Sequence, residues 1–219
     1  MFFKRKKPTI DSFRWDNAGW QPQTAKNGYV WVNEMGDVAT QMFGEGSAGL
    51  PMRWRDSNVM RDHARTNPLR GMSIVSTDIV EASGVAYVQF LQKEYMPEPS
   101  RGHIYAGVVI IPFNTFFTKF FFICPERGTT GVREATLLAT GQIQMPKQDH
   151  IPHINSMQEM EEMYRKARES PPKLFGAEDE KFDSMFPDHP VTRARRYLRN
   201  LRETLSVDDA ACNWPLFGT

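Results

Sequence analysis

The residues able to do chemistry are few and scattered. His150 and His153 have the HxxH spacing. Histidines three or four apart on a helix can share a metal ion, but Pro152 lies between these two and prevents a regular helix. No third ligand accompanies them, so the pair reads as a polar loop and no metal is expected. Asp188 stands beside His189 in Phe186-Pro187-Asp188-His189-Pro190. A carboxylate can orient a histidine as a general base. Adjacent side chains point apart, however, and the segment has the form of a helix start, with Asp188 or His189 as the cap and Pro190 near the first turn. The helix that follows carries Arg193, Arg195, Arg196, Arg199 and Arg202. Its arginine face can clasp the acidic run Glu178, Asp179, Glu180, or offer itself to a partner. Five arginines could also grip phosphates, but the near-balanced charge of the whole chain gives that no support.

A third candidate is Pro125-Glu126-Arg127-Gly128-Thr129-Thr130-Gly131, which joins an apolar run to a helix. Backbone N–H groups at a helix start can hold an anion. That segment has neither the GxxxxGK[ST] nor the GxGxxG spacing, so its glycines are expected to supply turn geometry, with Thr129 or Thr130 as cap. Glu126, Arg127, Arg133 and Glu134 are expected to form a local salt-bridge set. The Gly-rich loop Gly44 to Pro51 lacks the lysine of a phosphate-binding loop. A GxSxG elbow is missing. An enzyme would need a site dispersed along the chain, for which His103, Asp188 and His189 are the candidates. No cofactor is expected, nor a small-molecule ligand.

The elements that must position these residues are legible from periodicity. Tyr29 to Asn33 and Val38 to Phe43 form a hairpin about Gly36-Asp37. Asp56 or Ser57 caps a helix that runs to about Thr66 and stops before Asn67-Pro68. Four strands follow: Ser73 to Glu81, Val85 to Glu94, His103 to Ile111 and Phe116 to Cys124. Short turns make them antiparallel, and their near-continuous apolar runs require cover on both faces at the centre. Helices are expected over Thr130 to Thr140, Ser156 to Arg168 and Val191 to Leu205. The fold class is therefore α+β, a central antiparallel sheet covered by helices. The expected organisation is an irregular arm at 1–27, a sheet-and-helix core at 28–141 and a helical extension at 142–219 packed on that core.

Composition narrows the function. The chain has 219 residues, enough to bury roughly 70% of its unfolded surface without disulfides. Lys plus Arg is 27 against 26 Asp plus Glu, so no dedicated nucleic-acid-binding surface is expected. Ala106 to Cys124 has the length of a membrane span but is interrupted by Pro112, Asn114 and Lys119, and reads as two strands. No membrane span is expected. Phe2-Phe3 precede Lys4 to Lys7, the reverse of a secretion signal, so a cytoplasmic location is expected. The two cysteines are too few for a scaffold, and Cys124, after Phe120-Phe121-Phe122-Ile123, reads as a buried thiol.

The order of elements over about residues 28–141 resembles the PsbP-like α/β/α sandwich, including the Eag-type chaperones of type VI secretion effectors. A second resemblance rests on residues: Tyr29-Val30-Trp31 with Gly36-Asp37, Glu126 to Ala135, and Phe186 to Arg195. These look like a group of uncharacterised bacterial proteins that carry a C-terminal FPDHPLSRxR segment; here Val191-Thr192 replaces Leu-Ser. The group implies a bacterial source, and it supplies no activity to carry over.

The function expected is that of a non-catalytic protein-binding protein, an immunity protein that neutralises a secreted toxin. The alternatives are an effector chaperone shielding apolar segments, and the dispersed enzyme. The partner is expected to be another protein, because aromatic, Met and Arg side chains dominate protein interfaces. Trp15, Trp20, Trp54, Met157, Met160, Arg195 and Arg199 are the candidate partner-binding residues. For each Trp and Met the plainer reading is core packing.

Overall fold

A computed structural model describes residues 7–26, 28–66, 72–97, 100, 102–144 and 156–218. Nine strands are present among them: β1 (Phe13–Arg14), β2 (Trp20–Gln23), β3 (Tyr29–Asn33), β4 (Val38–Glu45), β5 (Met72–Ala82), β6 (Val85–Tyr95), β7 (His103–Pro112), β8 (Phe116–Pro125) and β9 (Ser206–Val207). The helices are α1 (Ser57–Thr66), α2 (Val132–Ala139), α3 (Met157–Ala167), α4 (Pro190–Thr204) and α5 (Asp209–Cys212). Seven strands form one antiparallel sheet in the order β2-β3-β4-β8-β7-β6-β5. Strands β5 to β8 are a meander, and the β3–β4 hairpin joins it by pairing β4 with β8. The expected α+β class with a central antiparallel sheet is what the chain adopts.

Alternation decides which face each side chain takes. On β8, Phe116, Thr118, Phe120, Phe122 and Cys124 are buried, while Phe117, Lys119, Phe121 and Ile123 are half-exposed. The central strand β7 is buried on both faces from Tyr105 to Pro112, as cover on both sides demands. Helix α4 lies on one face, where Leu198, Leu201 and Leu205 pack with Val109, Ile111, Phe120 and Phe122. The approach is close: a Cβ at Gly107 would sit 2.8 Å from Leu198 Cγ. Further along the same helix, Val191 and Ala194 cover Tyr105, Leu91 and Cys124. On the other face, Trp54, Met60 and Ala64 cover Ala86, Val88, Phe90, Val108 and Ile110. The β5–β6 turn takes Ser83 at φ 52° and Gly84 at φ 76°, the left-handed pair that a two-residue hairpin turn requires.

The amino-terminal segment is more ordered than an irregular arm. A 3-10 turn spans Ile10–Ser12, Phe13 of β1 pairs with Val207 of β9, and β2 forms the edge of the main sheet. Trp15 lies edge-on to Trp31 at 5.8 Å and to Phe122 at 5.3 Å between ring centroids. Trp20 stands 4.9 Å from the ring of Tyr197 on α4. The arm and α4 therefore share one face of the β2–β3–β4–β8 half of the sheet.

Candidate functional site

Two regions stand out: a buried charged cluster at the amino-terminal end of α4, and a bare stretch of the sheet.

The cluster forms because β7 begins and β8 ends beside the starts of α2 and α4. Glu126, the residue after β8, is its centre. Its Oε2 accepts the His103 backbone N–H at 2.8 Å and lies 3.3 Å from His103 Nδ1. Its Oε1 accepts the Gly131 N–H at 3.2 Å and lies 3.8 Å from His189 Nε2. Burial opposes ionisation of Glu126, but the imidazoles of His103 and His189 beside it and the backbone N–H groups of Gly131 and His103 outweigh it and hold the carboxyl far below its ordinary range. The Gly131 N–H, which an anion at the Pro125–Gly131 turn would use, is thus taken by the chain's own carboxylate. Gly131, at φ 74°, is the N-cap of α2 instead of a threonine.

Around Glu126 the charges are paired across the fold, not along it. Lys93, 1% exposed, donates to Glu178 Oε1 at 2.6 Å and contacts Glu134 Oε1 at 3.3 Å. Arg133 donates to the carbonyls of Ala177 and Asp179 and to Asp183 Oδ1. Arg195 donates to the same Asp183 Oδ1 at 2.8 Å and to the Glu178 carbonyl. Arg193 grips Asp37 with two bonds, of 2.8 and 2.9 Å, and Tyr197 donates to Asp37 at 2.8 Å. The local salt-bridge set expected among Glu126, Arg127, Arg133 and Glu134 does not form: Arg133 and Glu134 pair with distant segments. Burial pushes the hydroxyl of Tyr105 up, and the carboxylates of Glu134 and Glu178 push it further.

Of the dispersed enzyme candidates, His103 and His189 meet on Glu126, while Asp188 is exposed and contributes only its carbonyl, to Arg193. The ligand atoms of Glu126, Glu134 and His189 lie within 4.8 Å of one another, a spacing that a metal ion could span. The capping bond speaks against it. His189 is the N-cap of α4, and its Nδ1 accepts the Val191 N–H at 3.3 Å. A neutral ring that accepts at Nδ1 carries its proton on Nε2. That atom is buried with no hydrogen-bond partner, as is Glu134 Oε2. The gap therefore presents one N–H donor and two carboxylates, which suits a bridging water. His150 and His153 lie outside the described residues.

The bare stretch is the face of β3, β4 and β8 opposite the arm. Strand register puts Val30, Val32, Met42, Phe117, Phe121 and Ile123 on it. Met42 is 45% exposed and the others are half-buried. Lys119 stands among them, opposite Met42 on β4 and Ile110 on β7. Its Nζ lies 4.7 Å from the centroid of the Phe117 ring, and burial pulls its pKa down. No carboxylate among the described residues pairs with it. Gln21 and Gln23 of β2 form a polar rim.

Several of the expected partner-binding residues are spent inside. Trp54 is fully buried, with Nε1 donating to the Phe217 carbonyl at 2.7 Å. Trp15 is buried and Trp20 half-buried in the aromatic cluster. Trp15 and Trp54 fill core volume, and Trp20 packs against it. Arg195 is engaged with Asp183. Met157 is 65% exposed, Met160 is half-buried, and Arg199 lies at the surface 3.7 Å from Glu180. Sequence reasoning missed Glu126 as a centre and Lys119 as a charge on an apolar face. The second carried a signal: Phe117-Thr118-Lys119-Phe120-Phe121 places the lysine on the parity opposite Phe120.

No protein-family model matches the chain, and no curated protein sequence does. Among solved structures, it is similar to cyanobacterial PsbP (CyanoP) from Synechocystis sp. PCC 6803, at 13% identity and a TM-score of 0.34, over 64% of this chain and 86% of that one. It is also similar to PA94 from Pseudomonas aeruginosa, a protein of unknown function described as a putative regulator. There the identity is 10% and the TM-score 0.29, over 60% of this chain and 99% of that one. No helix among the described residues is long and apolar enough to cross a membrane.

Proposed function

We propose that the chain is a cytoplasmic binding protein whose partner is another protein, and that its role is to neutralise a secreted toxin. The observation that carries this reading is the open half of the sheet. Among the described residues, the β3–β4–β8 half of one face is left apolar and accessible, while α4 and the α1 segment pack on the central strands. Three strand spacings of ~4.8 Å by about six residues of strand give an area on the order of 300 Å², the size at which an apolar patch on a monomer is often functional. An apolar centre with a polar rim is the usual anatomy of a protein interface. Immunity is favoured over effector chaperoning because Eag-type chaperones are shorter and lack an extension such as the one that carries α4. Affinity capture with the full chain from its source cells tests this. One stoichiometric partner, toxic when expressed alone and harmless beside this chain, supports it. A non-toxic effector would move the role to chaperoning, and the absence of any stoichiometric partner would remove the reading.

A second reading, an enzyme with a dispersed site, is favoured by the meeting of His103 and His189 on Glu126. It requires turnover that Glu126→Gln abolishes while the variant stays folded.

A further inference from the structure

We propose that the open face of β3, β4 and β8 is read by a partner segment that carries an aspartate or glutamate flanked by apolar side chains, the carboxylate docking on Lys119. This rests on the binding reading above and names the chemistry of its partner.

The argument begins with where Lys119 sits. On β8 it is flanked by Phe117 and Phe121, and across the strands by Met42 and Ile110. A lone ammonium in the middle of an apolar face is half-desolvated. Its near neighbours give it only the ring of Phe117, at 4.7 Å. Several surface cations of the described chain have carboxylates, as Lys7 has Glu45, Lys181 has Asp179 and Arg165 has Glu162; Lys119 differs in standing among apolar side chains. A partner carboxylate would complete Lys119 in a setting drier than water, where a charge pair counts for more. Apolar flanks on that partner would cover Phe117, Phe121 and Met42.

Charge also selects among occupants. A second copy docking face to face about a two-fold axis would bring one Lys119 towards the other, a like-charge contact with no carboxylate on the face to relieve it. A bilayer surface would meet one cation only, too few for stable attraction. A flat face three strands wide encloses no fatty-acid chain. A protein segment meets none of these objections.

The test uses a phage-displayed library of random dodecapeptides, selected on the immobilised full-length protein. The expected consensus is an acidic residue between apolar or aromatic ones. Affinity of the selected peptide should fall about tenfold or more in Lys119→Met and further in Lys119→Glu, and stay within about threefold in Lys119→Arg. Met42→Glu, which places a carboxylate across from Lys119 within the chain, should block the peptide as well. Thermal unfolding confirms that each variant is folded. Thr40 lies on the same face, opposite Phe121; a consensus without an acid, or affinity indifferent to Lys119→Glu but lost in Thr40→Arg, would overturn the carboxylate proposal and leave the face as a binding site. Indifference to all of these variants, or no enrichment, would overturn the face itself. A dimer that survives Lys119→Glu would assign the face to a second copy, and binding to phosphatidylserine vesicles in place of peptides would assign it to a membrane; either overturns the proposal.

Discussion

Arg193 and Asp37 lie 156 residues apart in sequence and form a two-bond ion pair sealed under α4. Removing one partner leaves a buried charge uncompensated, so Arg193→Met should cost about 3–5 kcal/mol in urea unfolding. Asp37 reads in the sequence as a turn residue and Arg193 as one of five arginines, and no local rule pairs them. The proline at 190 made a cap at Asp188 or His189 legible, and His189 is the one that takes it. His189→Ala should cost about 1 kcal/mol and His189→Asn, which keeps a cap acceptor, much less. Because Nε2 holds the proton, zinc should not raise the melting temperature through this trio; a rise lost in Glu134→Gln would overturn that tautomer. Glu126 makes stability depend on pH. Its folded pKa is depressed, so its contribution is fully present above the unfolded value of about 4.3 and is lost as pH falls through the folded one. Wild type should therefore exceed Glu126→Gln in stability at neutral pH, and the gap should close steadily below about pH 4. A gap that stays constant between pH 6 and pH 3 would contradict the assignment.

At the scale of elements, α4 and β7 are fitted to each other through Gly107. Gly107→Ala would drive a methyl into Leu198 and should cost about 1–3 kcal/mol. Leu198→Ala should cost about 2–5 kcal/mol by opening a cavity. In the double variant the new methyl occupies the space vacated, so the two losses should sum to more than the measured one; strict additivity would mean that the contact is not limiting. Strands β5 to β8, the β3–β4 hairpin and helices α1, α2 and α4 were legible from apolar periodicity and turn signals, although the cap of α2 is Gly131 and not a threonine. Strand β2 was not. Gln21-Pro22-Gln23 has no apolar alternation, and the strand exists because β3 offers it a partner. Proline is tolerated there since an edge strand has one side without a ladder to feed. The four-strand run implied cover on both faces, which holds over β6 and β7 but not over the face shared by β3, β4 and β8. That asymmetry is a matter of tertiary reach, since α1 packs on β5 and its neighbours, and no local pattern encodes it.

For the molecule as a whole, both ends of the chain complete the middle. The β2 edge and Trp15 come from the first 27 residues, and the cover of β7 and β8 comes from α4. A fragment limited to residues 28–141 would expose Val109, Ile111, Phe120 and Phe122 to water. It should lack a cooperative thermal transition and bind a hydrophobic dye; a sharp transition like that of the full chain would show the core to be autonomous. The same cover gives the protein an internal clock. Burial raises the Cys124 thiol well above its ordinary pKa, with the Asp37 carboxylate adding to it, and Val191 and Ala194 of α4 close over it. Cys212 is exposed. A thiol-reactive dye should therefore label one site per chain quickly and the second only when α4 lifts from the sheet. The slow rate then measures the frequency of that opening, and Leu198→Ala should quicken it while leaving the labelling of Cys212 unchanged.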